Sequence, residues 1–136
     1  MGLKSMSGRI SKSDIRLIPN NKIWWEQIRQ LRNNPKVQGG FLCSSYISVD
    51  DQWEYMKKYN DCYYVATYLG NFCGYIGVVE NDIRICTHPD FEGKGVGKFM
   101  LSKIKIKHPN AKGRIKKDNL PSQKVFNSVE VPYEVL

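Results

Sequence analysis

Three glycines at alternate positions, Gly93, Gly95 and Gly97, stand between an apolar strand-like segment and an apolar helical stripe. Ile83 and Ile85 precede them, with a stop at Pro89. Val96, Met100 and Ile104 follow at intervals of four, one face of a helix. A strand that turns into a helix through positions without side chains leaves bare amides at the helix N-terminus. The helix dipole adds positive potential at the same place, so the segment reads as a receptacle for a phosphate-bearing ligand. Spacing argues against the two common phosphate loops. A Walker loop needs four residues before its Gly-Lys pair and then Ser or Thr; three residues separate Gly93 from Gly97, and Phe99 follows Lys98. A dinucleotide fingerprint asks for Gly or Ala where Met100 stands.

The remaining pattern predicts one mixed domain. Ile15 to Ile18 reads as a first strand, ended by Pro19-Asn20. Trp24, Ile28 and Leu31 predict an amphipathic helix over 22–32. A loop with Gly39-Gly40 follows, of the length usually reserved for function or mobility. Ser48 is placed to cap a second helix, with Trp53 and Met56 inward. Three strands are expected over 62–69, 72–80 and 83–87, with a bulge or close backbone approach at Gly74 or Gly77. After the glycine loop and its helix come a strand over 113–117, a short helix opened by Asn119 with Pro121 in its first turn, and a last strand over 131–136. The Ser/Lys-rich start, residues 1–14, is expected to be a mobile end, leaving 15–136 as the domain.

No apolar run approaches the ~18 residues of a membrane span, so no membrane partner is expected. Cys43, Cys62, Cys73 and Cys86 form no CxxC pair and read as reduced thiols of a cytoplasmic protein; no metal site is expected. The net charge of +8 suits a polyanionic small molecule and would also suit nucleic acid. No nucleic-acid module is recognisable, so a basic nucleic-acid-binding domain stands only as a rival reading.

The loop, the upstream Thr87-His88-Pro89 and the downstream Asn119, Ser122 and Phe126 together resemble the GNAT superfamily of acetyl-CoA-dependent N-acetyltransferases. That family's loop runs Gln/Arg-x-x-Gly-x-Gly/Ala after Val-x-Pro, and its second motif is Asn-x-x-Ser/Ala-x-x-x-Tyr/Phe. The element order matches over nearly the whole chain. The fold implied is α+β, a mixed and mostly antiparallel sheet flanked by helices, with one terminal strand fewer. Leu31-Arg32-Asn33-Asn34-Pro35 and Tyr63-Tyr64-Val65-Ala66 further resemble the branch that acetylates amino sugars on nucleotide carriers, including pseudaminic-acid pathway enzymes.

The resemblance implies acetyl-CoA as co-substrate and a small-molecule amine as acceptor. Cys86, Thr87, Gly93, Lys94, Gly95, Val96, Gly97, Lys98, Asn119, Ser122 and Phe126 become the expected cofactor-binding residues. Glu92 replaces the usual Gln or Arg, and Phe126 stands where many relatives carry a Tyr that protonates the leaving thiolate. Glu80, expected to end the third strand beside the cleft, is the first candidate for the base that deprotonates the amine, and His88 is the second. Each also reads as an ordinary solvated group. Alternatives are acetylation of a protein N-terminus or a polyamine, and a CoA-binding domain that has lost catalysis. With five residues after Val131, one last strand fits, and its bare edge predicts a homodimer.

Overall fold

The structure, a computed structural model, describes residues 10–43 and 45–136. Of the start expected to be mobile, residues 1–9 therefore lie outside the described residues. From Ile10 the chain is placed: the Ile10 amide donates to the Lys94 carbonyl at 3.4 Å, and Lys12–Asp14 forms a single 3-10 turn.

The elements are β1 (Ile15–Pro19), α1 (Trp25–Asn33), α2 (Pro35–Gln38), α3 (Val49–Tyr59), β2 (Tyr63–Tyr68), β3 (Asn71–Val79), β4 (Asp82–Thr87), α4 (Val96–Lys107), β5 (Gly113–Ile115), α5 (Leu120–Ser128) and β6 (Tyr133–Val135). Strands β1 to β4 form an antiparallel sheet in chain order, while β5 and β6 pair in parallel beside it. A parallel pair needs a crossover, and α5 supplies it. Two cores lie on the two sides of the sheet. Val96, Met100, Leu101 and Ile104 of α4 pack on one side with Ile76, Ile83 and Phe126. Trp25, Ile28 and Leu31 of α1 and Met56 of α3 pack on the other with Tyr63, Val65 and Tyr75. The mixed fold with helices on both faces is the one the resemblance implied.

The expected stripe of α4 is buried to within 1 % at Val96, Met100 and Ile104. Ser48 caps α3, its Oγ accepting from the Asp51 amide at 3.0 Å. A bulge interrupts β2 and β3 at Ala66/Thr67, opposite Gly74. Other expectations shift by a residue. The first turn before α1 is a 3-10 turn, Lys22–Trp24; Trp25 is buried in the core, and Trp24 packs half-buried against it, stacked on Phe72. In α3 the inward pair is Gln52 and Met56; Gln52 is buried because its side-chain amide donates to the Trp25 carbonyl at 2.9 Å. Trp53 packs edge-on against the Trp25 ring at 5.3 Å instead. Val131 lies in the core and β6 begins only after Pro132, so Val131 and Val135 do not share a strand face.

Candidate active site

Strands β4 and β5 start side by side and then part. The Ile83 amide donates to the Lys112 carbonyl at 2.9 Å, and the Lys112 amide to the Asn81 carbonyl at 2.9 Å; a lone bridge joins Asp82 and Lys112. Beyond this apex the strands belong to separate sheets. The divergence begins well before Pro89, so proline does not produce it. Pro89 instead ends β4 by opening a 3-10 turn, Pro89–Phe91. Phe126 of α5 lines the splay; its ring is 3 % exposed and lies edge-on to Tyr133 at 5.7 Å. Backbone direction alternates along a strand. Since the Ile83 amide points at β5, those of Ile85 and Thr87 point the same way, into space that β5 has left.

Two adjoining cavities occupy this splay. The larger, about 600 Å³, runs under the glycine loop and along β4 to α5. Gly95 caps α4 with φ of 97°, a conformation that glycine adopts freely, and no side chain caps the helix. Its first amides are therefore free to hold an anion. Lys36, Lys98 and Lys124 line the same cavity against one carboxylate, Glu92, which stands exposed at the rim. On the far wall the Asn119 Oδ1 caps α5, accepting from the Ser122 amide at 3.3 Å. Its Nδ2 is turned toward Gly40 of the α2–α3 loop, 3.1 Å from where a Cβ would stand there.

The second cavity, about 250 Å³, lies toward the apex. It shares Gly40, Phe41, Ile85, Asn119, Ser122 and Phe126 with the first. Its charged lining is Arg32, Asp82, Arg84 and Arg114. Asp82 Oδ1 accepts from Arg114 Nε at 2.9 Å, and Asp82 Oδ2 accepts from Arg114 Nη2 and Arg84 Nε, each at 3.1 Å. Burial opposes the charge on Asp82, but the two guanidinium groups outweigh it and hold the carboxyl below its ordinary range. Arg84 also donates from Nη1 to the Tyr55 hydroxyl at 2.9 Å, and Tyr55 meets the Tyr63 hydroxyl at 2.7 Å. The α2–α3 loop closes the top. Asn33 pairs with the Ile47 backbone in both directions at 2.9 Å, and Lys116 reaches across from the end of β5 to the Gly39 carbonyl at 2.9 Å.

The acetyltransferase (GNAT) domain family matches residues 59–129 of this sequence, which is more than half of the chain. The chain belongs to the GNAT acetyltransferase family. No curated protein sequence matches it. Among solved structures, the fold is similar to that of spermidine N-acetyltransferase from Vibrio cholerae, solved with CoA and spermine (TM-score 0.75, 16% identity, covering 87% of this chain and 80% of that one). It is also similar to a putative acetyltransferase from Salmonella typhimurium with its cofactor acetyl-CoA (TM-score 0.71, 14% identity, 85% and 78% covered). A third is a ribosomal alpha-N-protein acetyltransferase in complex with coenzyme A (TM-score 0.70, 12% identity, 87% and 80% covered). At these identities the likeness is one of fold.

As a GNAT acetyltransferase the chain uses acetyl-CoA as its co-substrate, and the larger cavity fits such a molecule. A volume of about 600 Å³ lies within the ~300–1,000 Å³ range of ligand pockets. It combines uncapped amides and an excess of lysine at one end with free strand amides at the other. Of the expected binding residues, Cys86, Thr87, Gly93, Gly95, Val96, Gly97, Lys98, Asn119, Ser122 and Phe126 all line it, while Lys94 does not. Burial pushes the Cys86 thiol up to about 12, with Arg32 opposing and Glu92 adding, so the sulfur is protonated near neutrality and a poor nucleophile.

The two expected proton acceptors are not brought into the splay. β3 ends at Val79, because Glu80 and Asn81, with φ of 53° and 64°, make the two-residue turn into β4. Glu80 is thereby exposed at the turn, outside both cavity linings. His88 turns its ring into the next turn, where Nδ1 accepts from the Asp90 amide at 3.1 Å. Arg32, Asp82, Arg84 and Arg114 are not among the site residues expected from the sequence. Arg84 sits two residues before Cys86, on the same face of β4, and that spacing was the available signal.

Proposed function

We propose that the protein transfers the acetyl group of acetyl-CoA directly to the primary amine of a small acceptor, an amino sugar or nucleotide-linked amino sugar. The observation that carries this reading is the pair of adjoining cavities, one lined by the glycine loop and lysines and the other by arginines, meeting at Ile85, Asn119, Ser122 and Phe126. The loop amides and Lys98 hold the pyrophosphate. Free amides at Ile85 and Thr87 align the pantetheine arm as an added strand and take the charge that builds on the thioester oxygen. The neutral amine attacks the carbonyl carbon, a C–N bond forms, the C–S bond breaks, and the sulfur leaves as a thiolate. With a thiol pKa near ~8.5 it leaves without an acid, which suits Phe126 in place of a hydroxyl-bearing ring. Asp82, held ionised by two arginines, is a weak base, so the amine loses its proton to water. Free thiols at all four cysteines suit a cytoplasmic setting. The outer edge of β6, where Val135 and Leu136 are 51 % and 57 % exposed, is a fitting place for a second copy to pair.

A thiol-release assay tests the reading. With acetyl-CoA and an amine panel, CoA thiol is expected to appear in step with acetylated amine for at least one amino sugar. Thiol release that is independent of any amine would count against acetyl transfer to such an acceptor.

A further inference from the structure

The acceptor cavity carries an unusual charge balance. Three guanidinium groups, Arg32, Arg84 and Arg114, line it against a single carboxylate, Asp82. Asp82 is bound by two of the three, which neutralises at most one positive charge. Arg32 has no ion-pair partner among the described residues; its guanidinium lies over the Phe41 ring, 4.9 Å from the centroid. Its Nε is buried and has no hydrogen-bond partner. An unpartnered buried donor costs stability, so its persistence in a cavity wall points to a partner that arrives with the ligand.

We infer that this cavity selects an amine that also bears an anionic group, a phosphate or carboxylate, which Arg32 binds together with the Asp82-anchored pair Arg84 and Arg114. This rests on the reading of the splay as an acetyl-transfer cleft and adds the acceptor's charge to it. Guanidinium forks match both anions geometrically, and two of them are held in place before the ligand arrives: Asp82 and the Tyr55 hydroxyl fix Arg84, and Asp82 fixes Arg114. A polyamine meets the opposite field, because its second cation would have to displace or face the arginines. At about 250 Å³ the cavity holds a small acceptor, and anything as large as a nucleotide would extend out past the α2–α3 loop.

The experiment pairs acceptors that differ only in the anion. Glucosamine 6-phosphate against glucosamine, and serine against serinamide, are compared with spermidine in the thiol-release assay. Acetyl-CoA binding is followed separately by thermal shift. The anionic member of at least one pair is expected to have kcat/KM at least about tenfold higher, with spermidine lowest. Whether phosphate or carboxylate wins identifies the anion. Arg32→Gln and Arg114→Gln are each expected to raise KM for that acceptor about tenfold or more, leaving the acetyl-CoA shift in place. Stabilisation by acetyl-CoA, with no advantage for either anionic member, overturns this inference alone. No stabilisation by acetyl-CoA overturns the cleft and the inference with it.

Discussion

The Phe126 ring occupies the space that a side chain on Gly113 would need: its Cε2 lies 2.6 Å from the position of a Cβ there. The ring lines both cavities of the splay and rests on the β5 backbone itself. Gly113→Ala is therefore expected to destabilise the fold by about 1–3 kcal/mol through overpacking. Urea or thermal unfolding measures it. Unchanged stability would mean that the ring has room to move.

Asp82 ties the two strand ends together through both arginines. Its folded-state carboxyl lies below the unfolded value of ~3.9, so its stabilising contribution is present at neutral pH and is lost as pH falls through the folded value. Asp82→Asn should cost about 1–2 kcal/mol near neutrality. The gap to the parent should close in acid below the ordinary carboxylate range. Denaturant titrations at several pH values check this; a gap independent of pH would show that the amide's shape, not the charge, is at fault.

Glu80→Gln and His88→Ala should each leave kcat/KM within about threefold, since neither side chain lines the cleft. A general base is worth ~10²–10⁴-fold, so a loss of that size in either variant would restore that residue to catalysis. Of the two carboxylates in the linings, Glu92 stands exposed at the rim and Asp82 is held ionised by two arginines, so neither is set to take the proton and kcat/KM should rise with pH up to the acceptor's own amine pKa. Changing the acceptor should move that limb with it.

The exposed edge of β6 is expected to pair with a second copy. Light scattering at micromolar concentration should give a mass about twice that of the 15.7 kDa chain. Val135→Lys, which places a charge on that edge, should return it to monomer. A monomer in the unaltered protein would refute the pairing.

Much of the fold was legible because its signals are local. The alternate glycines, the four-residue stripe of Val96, Met100 and Ile104, and the caps at Ser48 and Asn119 each depend on near neighbours in sequence. What was missed depends on tertiary placement. Trp24 and Trp25 are equally apolar, and only the 3-10 turn before α1 decides which is fully buried and which packs half-buried against the core. Glu80 was expected on a strand, and a two-residue turn with positive φ removes it from the cleft. Arg84 and Arg114 fall in no motif of the sequence. Their meeting at Asp82 needs two segments brought together across the splay, which no spacing along the chain announces.

The proposed site for acetyl-CoA is the splay between β4 and β5, under the glycine loop. Gly97 lines that cavity, and a Cβ there would meet Thr87 Oγ1 at 3.4 Å without collision, so Gly97→Glu adds bulk and negative charge to the site without breaking the fold. Calorimetric titration of acetyl-CoA into both proteins is the direct measurement. One saturable site in the unaltered protein, weakened at least about tenfold in Gly97→Glu with unfolding temperature preserved, is the predicted result. Equal binding by the two proteins would contradict it.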